Sequence, residues 1–363
     1  MRRRRVALAA LLLALLAGSA IYVSYGLRAY AHYRDAYAAY TTACDTLIAW
    51  TPPQTIYTGF YPNAPTLVTV RYRSPIPEAT RLTVSIPGFT QQQTLESTSA
   101  QGFRTASFKP PLLSASTLDA LARTERHDAQ IRVQFIADSR MLCETSAPVT
   151  LISRQWIQWR DSATGADNTP LIAGWVTPDD PTITALVGHA AQRLIAHPGA
   201  YDNTPALYGY NQGAANGSQV RDQVDAIFDT LQFDYHLRYA ADNVVFTHDA
   251  SQQVQLPRDV LTSSAPTGMC VETTAILASA VERLGMRPSI IFTPTHAFLG
   301  VALGADPHAP VEYWETSDLN GGVDGAQANT HGDLEFTQDT QTHQIQEIVD
   351  IQYERAHGVT PME

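Results

Sequence analysis

Cysteine is scarce in this chain of 363 residues: there are three, Cys44, Cys143 and Cys270. None lies in a CxxC pair, and no two histidines have HxxxH spacing. A metal site built from Cys270, His296 and one of His308, His331 or His343 would have no local ligand pair to start from. No metal and no cofactor is expected. Basic charge is scarce too. The first 30 residues hold five arginines and no acid, which leaves 19 of the 24 basic residues against 35 acids in the rest, a balance of −16. An acidic body of this kind lacks the electrostatic footprint for nucleic acid. Repeats and long polar tracts are missing, which excludes solenoids and extended disorder. What remains is an ordinary globular composition, 44% hydrophobic and 16% charged, with length enough for about two domains.

Long apolar runs are missing with one exception. "VALAALLLALLAGSAIYVSYGL", Val6 to Leu27, has no charge in 22 residues and follows Arg2-Arg3-Arg4-Arg5. About 20 apolar residues span a bilayer, and a basic flank keeps its own side cytoplasmic. Residues 1–27 are therefore expected to form a single-pass anchor, N-terminus inside and body outside. The competing reading is a signal peptide cut near Ala17–Ala20. Both place the body outside the cytoplasm, where disulfides persist. An odd cysteine count there suggests one bridge and one leftover thiol, and sequence alone does not choose the pair.

Beyond the anchor, Tyr and Ala recur at helical intervals, which predicts a helical segment over 28–54, ended by "TPPQ". From Thr66 the period changes to two. Runs such as "TLVTVRYRS", "TRLTVSIPGF" and "IRVQFIA", punctuated by Pro, Gly and Ser, predict an Ig-like β-sandwich over 55–160. A helical pattern at Ser114–Arg126 is expected to lie across one end. After a Pro- and Gly-bearing linker, helical periods return. Ser218 is a candidate cap for a helix with an apolar stripe at Val220, Val224, Ile227 and Leu231.

The chemistry concentrates in "GMCVETTAILASAVERLGMRPSIIFTPTHAFLGVAL" and the later "YWETS". Cys270 opens a predicted helix with apolar residues at 3.6 spacing, closed by Gly285. A helix N-terminus offers partial positive charge and free N–H groups. Both favour thiolate, the nucleophilic form, and the same N–H groups can hold an oxyanion. Free cysteines are also common as small core hydrophobes. His296 starts a strand after that helix, and its imidazole can take the thiol proton and deliver it to a leaving group. The next strand offers Glu312, Glu315 and Asp318. Glu315, inside an aromatic strand, is costly to bury unless paired, so it is the expected orienter of the imidazole. Because a bridged sulfur cannot attack, Cys270 is the expected free thiol, and Cys44 with Cys143 the expected bridge.

This order of Cys at a helix start, His in "HAF" on a following strand and an acid on the next resembles the transglutaminase-like superfamily of papain-fold cysteine enzymes. The matching stretch is "QLPRDVLTSSAPTGMCVETTAILASAVERLGMRPSIIFTPTHAFLGVAL" followed by "YWETS". The resemblance covers roughly 165–363 and implies an α+β domain there, with Cys270 as nucleophile, His296 as base and Glu315 as orienting acid. The family's acid is more often Asp, so Glu315 is a departure. No oxyanion side chain is obvious; Gln255 is the candidate. The resemblance implies an extracytoplasmic hydrolase cleaving peptide or isopeptide bonds of a peptide or protein substrate, held at the membrane by the N-terminal helix. The alternative is an inactive surface scaffold in which the sandwich and the papain-like module only bind.

Overall fold

Ile48 and Trp50 are buried with one residue between them, and that alternation makes β1 (Ile48–Trp50) a strand. It lies within the stretch whose Tyr and Ala spacing predicts a helix through residue 54. Pairing of Ile48 with Tyr72 and of Trp50 with Val70 overrides that local spacing, since strands are selected by burial and cross-strand packing. The computed structural model describes residues 44 and 47–362, apart from 74–79, 98–101, 138–139, 162–163, 202–203, 211–216, 242–250 and 320–321. The anchor expected over 1–27, and the predicted helix up to residue 43, lie outside the described residues. Among the described residues no helix is long and apolar enough to cross a membrane.

The chain forms two compact units, and the molecule is mixed α+β with several sheets. Of the described residues, the first unit holds 44, 47–56 and those within 64–117 and 128–151. After β1 come β2 (Thr55–Tyr57), β3 (Val68–Tyr72), β4 (Thr80–Ser85), β5 (Gln93–Ser97), β6 (Arg104–Phe108), β7 (Arg126–Ala137) and β8 (Arg140–Ile152). They form a three-stranded sheet, β1-β3-β6, and a five-stranded sheet, β2-β8-β7-β4-β5. In β3, Val68, Val70 and Tyr72 are buried while Thr69 and Arg71 face solvent, the period-2 signature of a sheet with one wet face. Tyr72 of the smaller sheet meets Phe135 of the larger edge to face, with centroids 5.9 Å apart. Cys44 and Cys143 are bridged within this unit, with Cα atoms 5.5 Å apart.

The second unit holds residues 57–63, 118–127 and 152–363. The division is therefore not a single cut near 160–165, because two short segments inside the β-rich half pack with the later body. The helical pattern at Ser114–Arg126 yields only α1 (Thr117–Leu121), after which β7 begins. Helix α2 (Pro181–Ala196) starts with Asp180, whose carboxylate accepts the Thr182 N–H at 2.8 Å, a standard N-cap. It buries Ile183, Leu186, Ala190 and Leu194. Helix α3 (Gly217–Asp229) buries Val220, Val224 and Ile227 as the spacing predicts. Ser218 lies inside it, one residue past the start, rather than at its cap.

Short strands β9 (Trp156–Gln158), β10 (Arg238–Tyr239), β11 (Ser251–Gln253) and β12 (Thr267–Gly268) pair as β9 with β11 and β10 with β12. Helix α4 (Pro257–Leu261) precedes α5 (Cys270–Arg283), in which every residue from Cys270 to Val281 is buried. Gly285, at φ 74°, takes the left-handed turn that stops it. A four-stranded antiparallel sheet follows: β13 (Pro288–Phe292), β14 (Ala297–Ala302), β15 (Val311–Trp314) and β16 (Glu347–Asp350), in the order β15-β14-β13-β16. Helix α5 packs on β13 and β14. Helix α6 (Gly325–Gln341) packs on β15, an edge strand, and α7 (Ile351–Ala356) ends the fold. An edge leaves backbone groups unpaired. Here α6 supplies their partners: Tyr313 N–H donates to Asp333 at 2.9 Å, and Asn329 donates to the Tyr313 carbonyl at 3.0 Å.

Candidate active site

Cys270 is the first residue of α5, a free thiol with 2% of its surface exposed. Met269 before it is extended, so the chain turns into the helix at the sulfur. The Glu272 carboxylate reaches back to the Met269 N–H at 2.9 Å and accepts the Gln255 N–H at 2.7 Å. An acid in the first turn suits the helix dipole. Burial pushes the Glu272 carboxyl up against the hydrogen bonds from Gln255 and Met269 that hold it. The structure thus pairs Gln255 with Glu272 through backbone and side chain, and the oxyanion role expected of it gains nothing from that pairing.

His296 immediately precedes β14. Its N–H donates to the Thr293 hydroxyl at 3.1 Å, and its carbonyl accepts the Thr293 N–H at 2.9 Å. This tight turn between β13 and β14 fixes the ring's origin. Glu315 is not mid-strand as expected. It stands one residue past β15, where it caps the single turn Thr316–Asp318 by accepting the Ser317 N–H at 2.7 Å. The expectation of a paired, buried acid is met in another way. Glu315 is 5% exposed, and both its carboxylate oxygens lie 2.9 Å from His296 Nε2. The two other acids weighed at this strand are occupied elsewhere: Glu312 takes a two-point bond from Arg221, and Asp318 bonds His331 at 2.7 Å.

With Nε2 committed to Glu315, Nδ1 is the ring nitrogen left to face Cys270, whose sulfur is near enough to act on the charge of the ring. Burial works against a charged ring, but Cys270 and Glu315 outweigh it and push the His296 pKa up to about 10. Burial likewise opposes the Glu315 charge. The hydrogen bonds from His296, Glu335 and Ser317 overcome it and bring that carboxyl down to about 2. The ring therefore carries its proton at neutral pH, held between an acid and a sulfur.

Two features were not legible as motifs. The first is a buried hydroxyl node. Thr274 donates to the Ala297 carbonyl at 3.3 Å and lies 3.1 Å from the Thr316 hydroxyl, which also reaches Ala297 at 3.5 Å. Thr274 is one turn after Cys270, Ala297 follows His296, and Thr316 follows Glu315. The node ties together the three segments that carry the constellation. The second is Glu335 on α6, whose carboxyl oxygen lies 3.9 Å from His296 Nε2. His296, Glu315 and Glu335 place one ligand-type atom each within 4.8 Å of one another, the sole such group among the described residues. Their atoms are engaged in hydrogen bonds with one another, and no metal is assigned. The chain matches no protein-family model and no curated protein.

Proposed function

We propose that residues 165–363 are a transglutaminase-like, papain-type cysteine enzyme acting on peptide or isopeptide amides outside the cytoplasm, with the chain's N-terminal apolar run as its membrane anchor. The observation that carries this reading is the single line of contacts from Cys270 through His296 to Glu315, with the sulfur at a helix start. In this mechanism the Cys270 sulfur attacks the amide carbonyl carbon while first-turn N–H groups of α5 steady the developing oxyanion. His296, holding the sulfur's proton, gives it to the departing amine as the C–N bond breaks, leaving a thioester. Water then attacks the thioester, surrenders a proton to His296, and releases the acid and the free thiol. An amine in place of water would give amide exchange by the same steps. Glu315 holds the ring and balances its charge throughout.

The test is labelling of the full chain by iodoacetamide at neutral pH, read by mass spectrometry at each cysteine. Cys270 should react selectively, and His296→Ala should slow it by about 100-fold, the scale of a lost acid–base partner. Equal rates with and without His296 would sink the enzyme reading. The scaffold reading draws on one observation, the 2% exposure of Cys270. It predicts no labelling short of unfolding.

A further inference from the structure

Every group expected of a Cys–His–acid site comes from α5, the turn before β14 and the end of β15. Helix α6 is not needed for that constellation, yet it delivers a second carboxyl to it. We propose that Glu335 is a positioning residue of this site: its carboxyl, 3.9 Å from His296 Nε2, donates a hydrogen bond to Glu315 and keeps that carboxylate turned toward the imidazole. This inference deepens the cysteine-enzyme reading above and rests on it only for the kinetic arm of its test.

The docking of α6 argues for it first. At Gly332 a Cβ would stand 2.6 Å from the carbonyl carbon and oxygen of Tyr313, so only glycine lets the helix approach so near the strand. Gly332 is one turn before Glu335. Around it, Asp333 and Asn329 bond the two free backbone groups of Tyr313, and the Phe336 ring stacks on the Tyr313 ring with centroids 3.8 Å apart. The Glu315 N–H donates to the Ala328 carbonyl at 2.9 Å, tying the residue itself to α6. A helix fixed so tightly on both sides of Glu335 leaves its side chain little choice but the Glu315 carboxylate.

The charges agree. Two ionised carboxylates in contact repel, so one must hold a proton. Glu315 is the one kept ionised, by His296. Glu335 is the one that keeps a proton: burial and the bond to Glu315 push its pKa up to about 8. The group facing it on its own helix is Asp339, one turn on, itself pushed up by burial and by Glu315. From the turn before β14 it faces His296 and, through the ring, Cys270. Asp333, Glu312 and Arg221 cluster together, with Arg221 from α3 and Glu312 from β15. Asp225 and Asp229 of α3 hold Trp314 and Gly325. His331, one turn before Glu335, is taken by Asp318. The arrangement gives Glu315 three donors, His296, Ser317 and Glu335, which fix the plane of its carboxylate as the supporting shell of a catalytic ligand does.

The experiment compares Glu335→Gln and Glu335→Leu with the wild-type full chain. The first arm is the ring-carbon NMR titration of His296, assigned by its loss in His296→Ala. It needs no enzyme activity. Above about pH 8 the wild-type pair carries a second negative charge that glutamine cannot carry, so His296 should titrate at least about half a pH unit lower in Glu335→Gln. The second arm is the iodoacetamide rate at Cys270 from pH 5 to 10. Glu335→Leu should lose about tenfold, and Glu335→Gln, still a donor to Glu315, should recover most of it, in the range of other supporting-shell substitutions. A His296 titration identical in wild type and Glu335→Gln overturns the proposal, and so does a Glu335→Leu rate equal to wild type. If Cys270 labelling is slow and indifferent to His296→Ala, the enzyme reading fails, and the His296 titration still decides on Glu335. If Glu335→Leu does not fold, the His296 titration of Glu335→Gln decides alone.

Discussion

His296 sits where burial and partners oppose each other, and the partners win. Removing a partner should therefore move the ring back toward its ordinary titration range. In Glu315→Gln the amide can still orient Nε2 but cannot balance the imidazolium, so His296 should titrate clearly below its value of about 10. Ring NMR reads this directly. The iodoacetamide rate at Cys270 should fall by about tenfold, less than the loss in His296→Ala, because orientation survives. The double variant should lose little beyond His296→Ala alone, since groups acting as a unit are not additive. Additive losses would mean that Glu315 acts elsewhere. The acid's identity was legible because a carboxylate beside Trp314 needs a partner to be buried. Its place past the strand end was not, because a one-residue shift at an element boundary leaves no mark on the local pattern.

At the level of elements, the site depends on three segments held in register by one hydroxyl. Thr274→Val keeps the shape and removes the bonds to Ala297 and Thr316. Both partners stay buried, so stability should fall by about 1–3 kcal/mol, the cost of leaving buried polar groups unpaired. Urea unfolding followed at the tryptophans measures it. The second prediction concerns the docking of α6. Gly332→Ala places a methyl 2.6 Å from the Tyr313 carbonyl. The helix must retreat or strain, at a cost of about 1–3 kcal/mol, and Glu335 moves away with it. Calorimetry should show a lower Tm, and the Cys270 labelling rate should fall although Gly332 touches none of the reacting groups. A Gly332→Ala protein of unchanged Tm would remove the close-approach argument.

The whole molecule adds a redox and a pH dependence. The Cys44–Cys143 bridge joins two residues of the first unit at a separation of 99, and the loop it closes includes the second-unit segments 57–63 and 118–127. Chain-entropy reasoning assigns a loop of that size about 4–5 kcal/mol. Dithiothreitol should therefore lower the Tm of the chain, and a Tm unchanged on reduction would mean that the bridge does not constrain the unfolded chain. The pH dependence centres on Asp225, buried on α3 and accepting the Trp314 indole N–H at 2.7 Å. Burial, far outweighing that hydrogen bond, raises its pKa from 3.8 to about 8. The folded protein thus keeps a proton that the unfolded chain loses. That contribution to stability is full below about pH 4 and is lost as pH rises toward 8. Asp225→Asn should flatten this part of the profile, so the stability difference between variant and wild type should shift in the variant's favour from pH 4 to pH 8. A difference that stays constant with pH would rule out the buried, protonated carboxyl.

Local pattern was enough for what local forces decide. The strand alternation of β3, the stripe of α3, the Gly285 stop and the helix opening at Cys270 are all written in residue types a few positions apart, because periodicity and caps act within one or two turns. Cys270 and His296 were legible for the same reason, since each stands at the start of such an element, whereas Glu315 was singled out as an acid that burial would force to pair and not by its place. Only the tertiary structure decided that Ile48–Trp50 is a strand, because its partner Tyr72 lies more than twenty residues on. It alone decided that residues 57–63 and 118–127 pack with the second unit. It alone brought Thr274 to Thr316 and Glu335 to His296. Threonine in a helix and glutamate on a helix face are unremarkable in sequence. What gives them a role is a helix docked on a strand edge at glycine distance, and no local preference encodes which strand that will be.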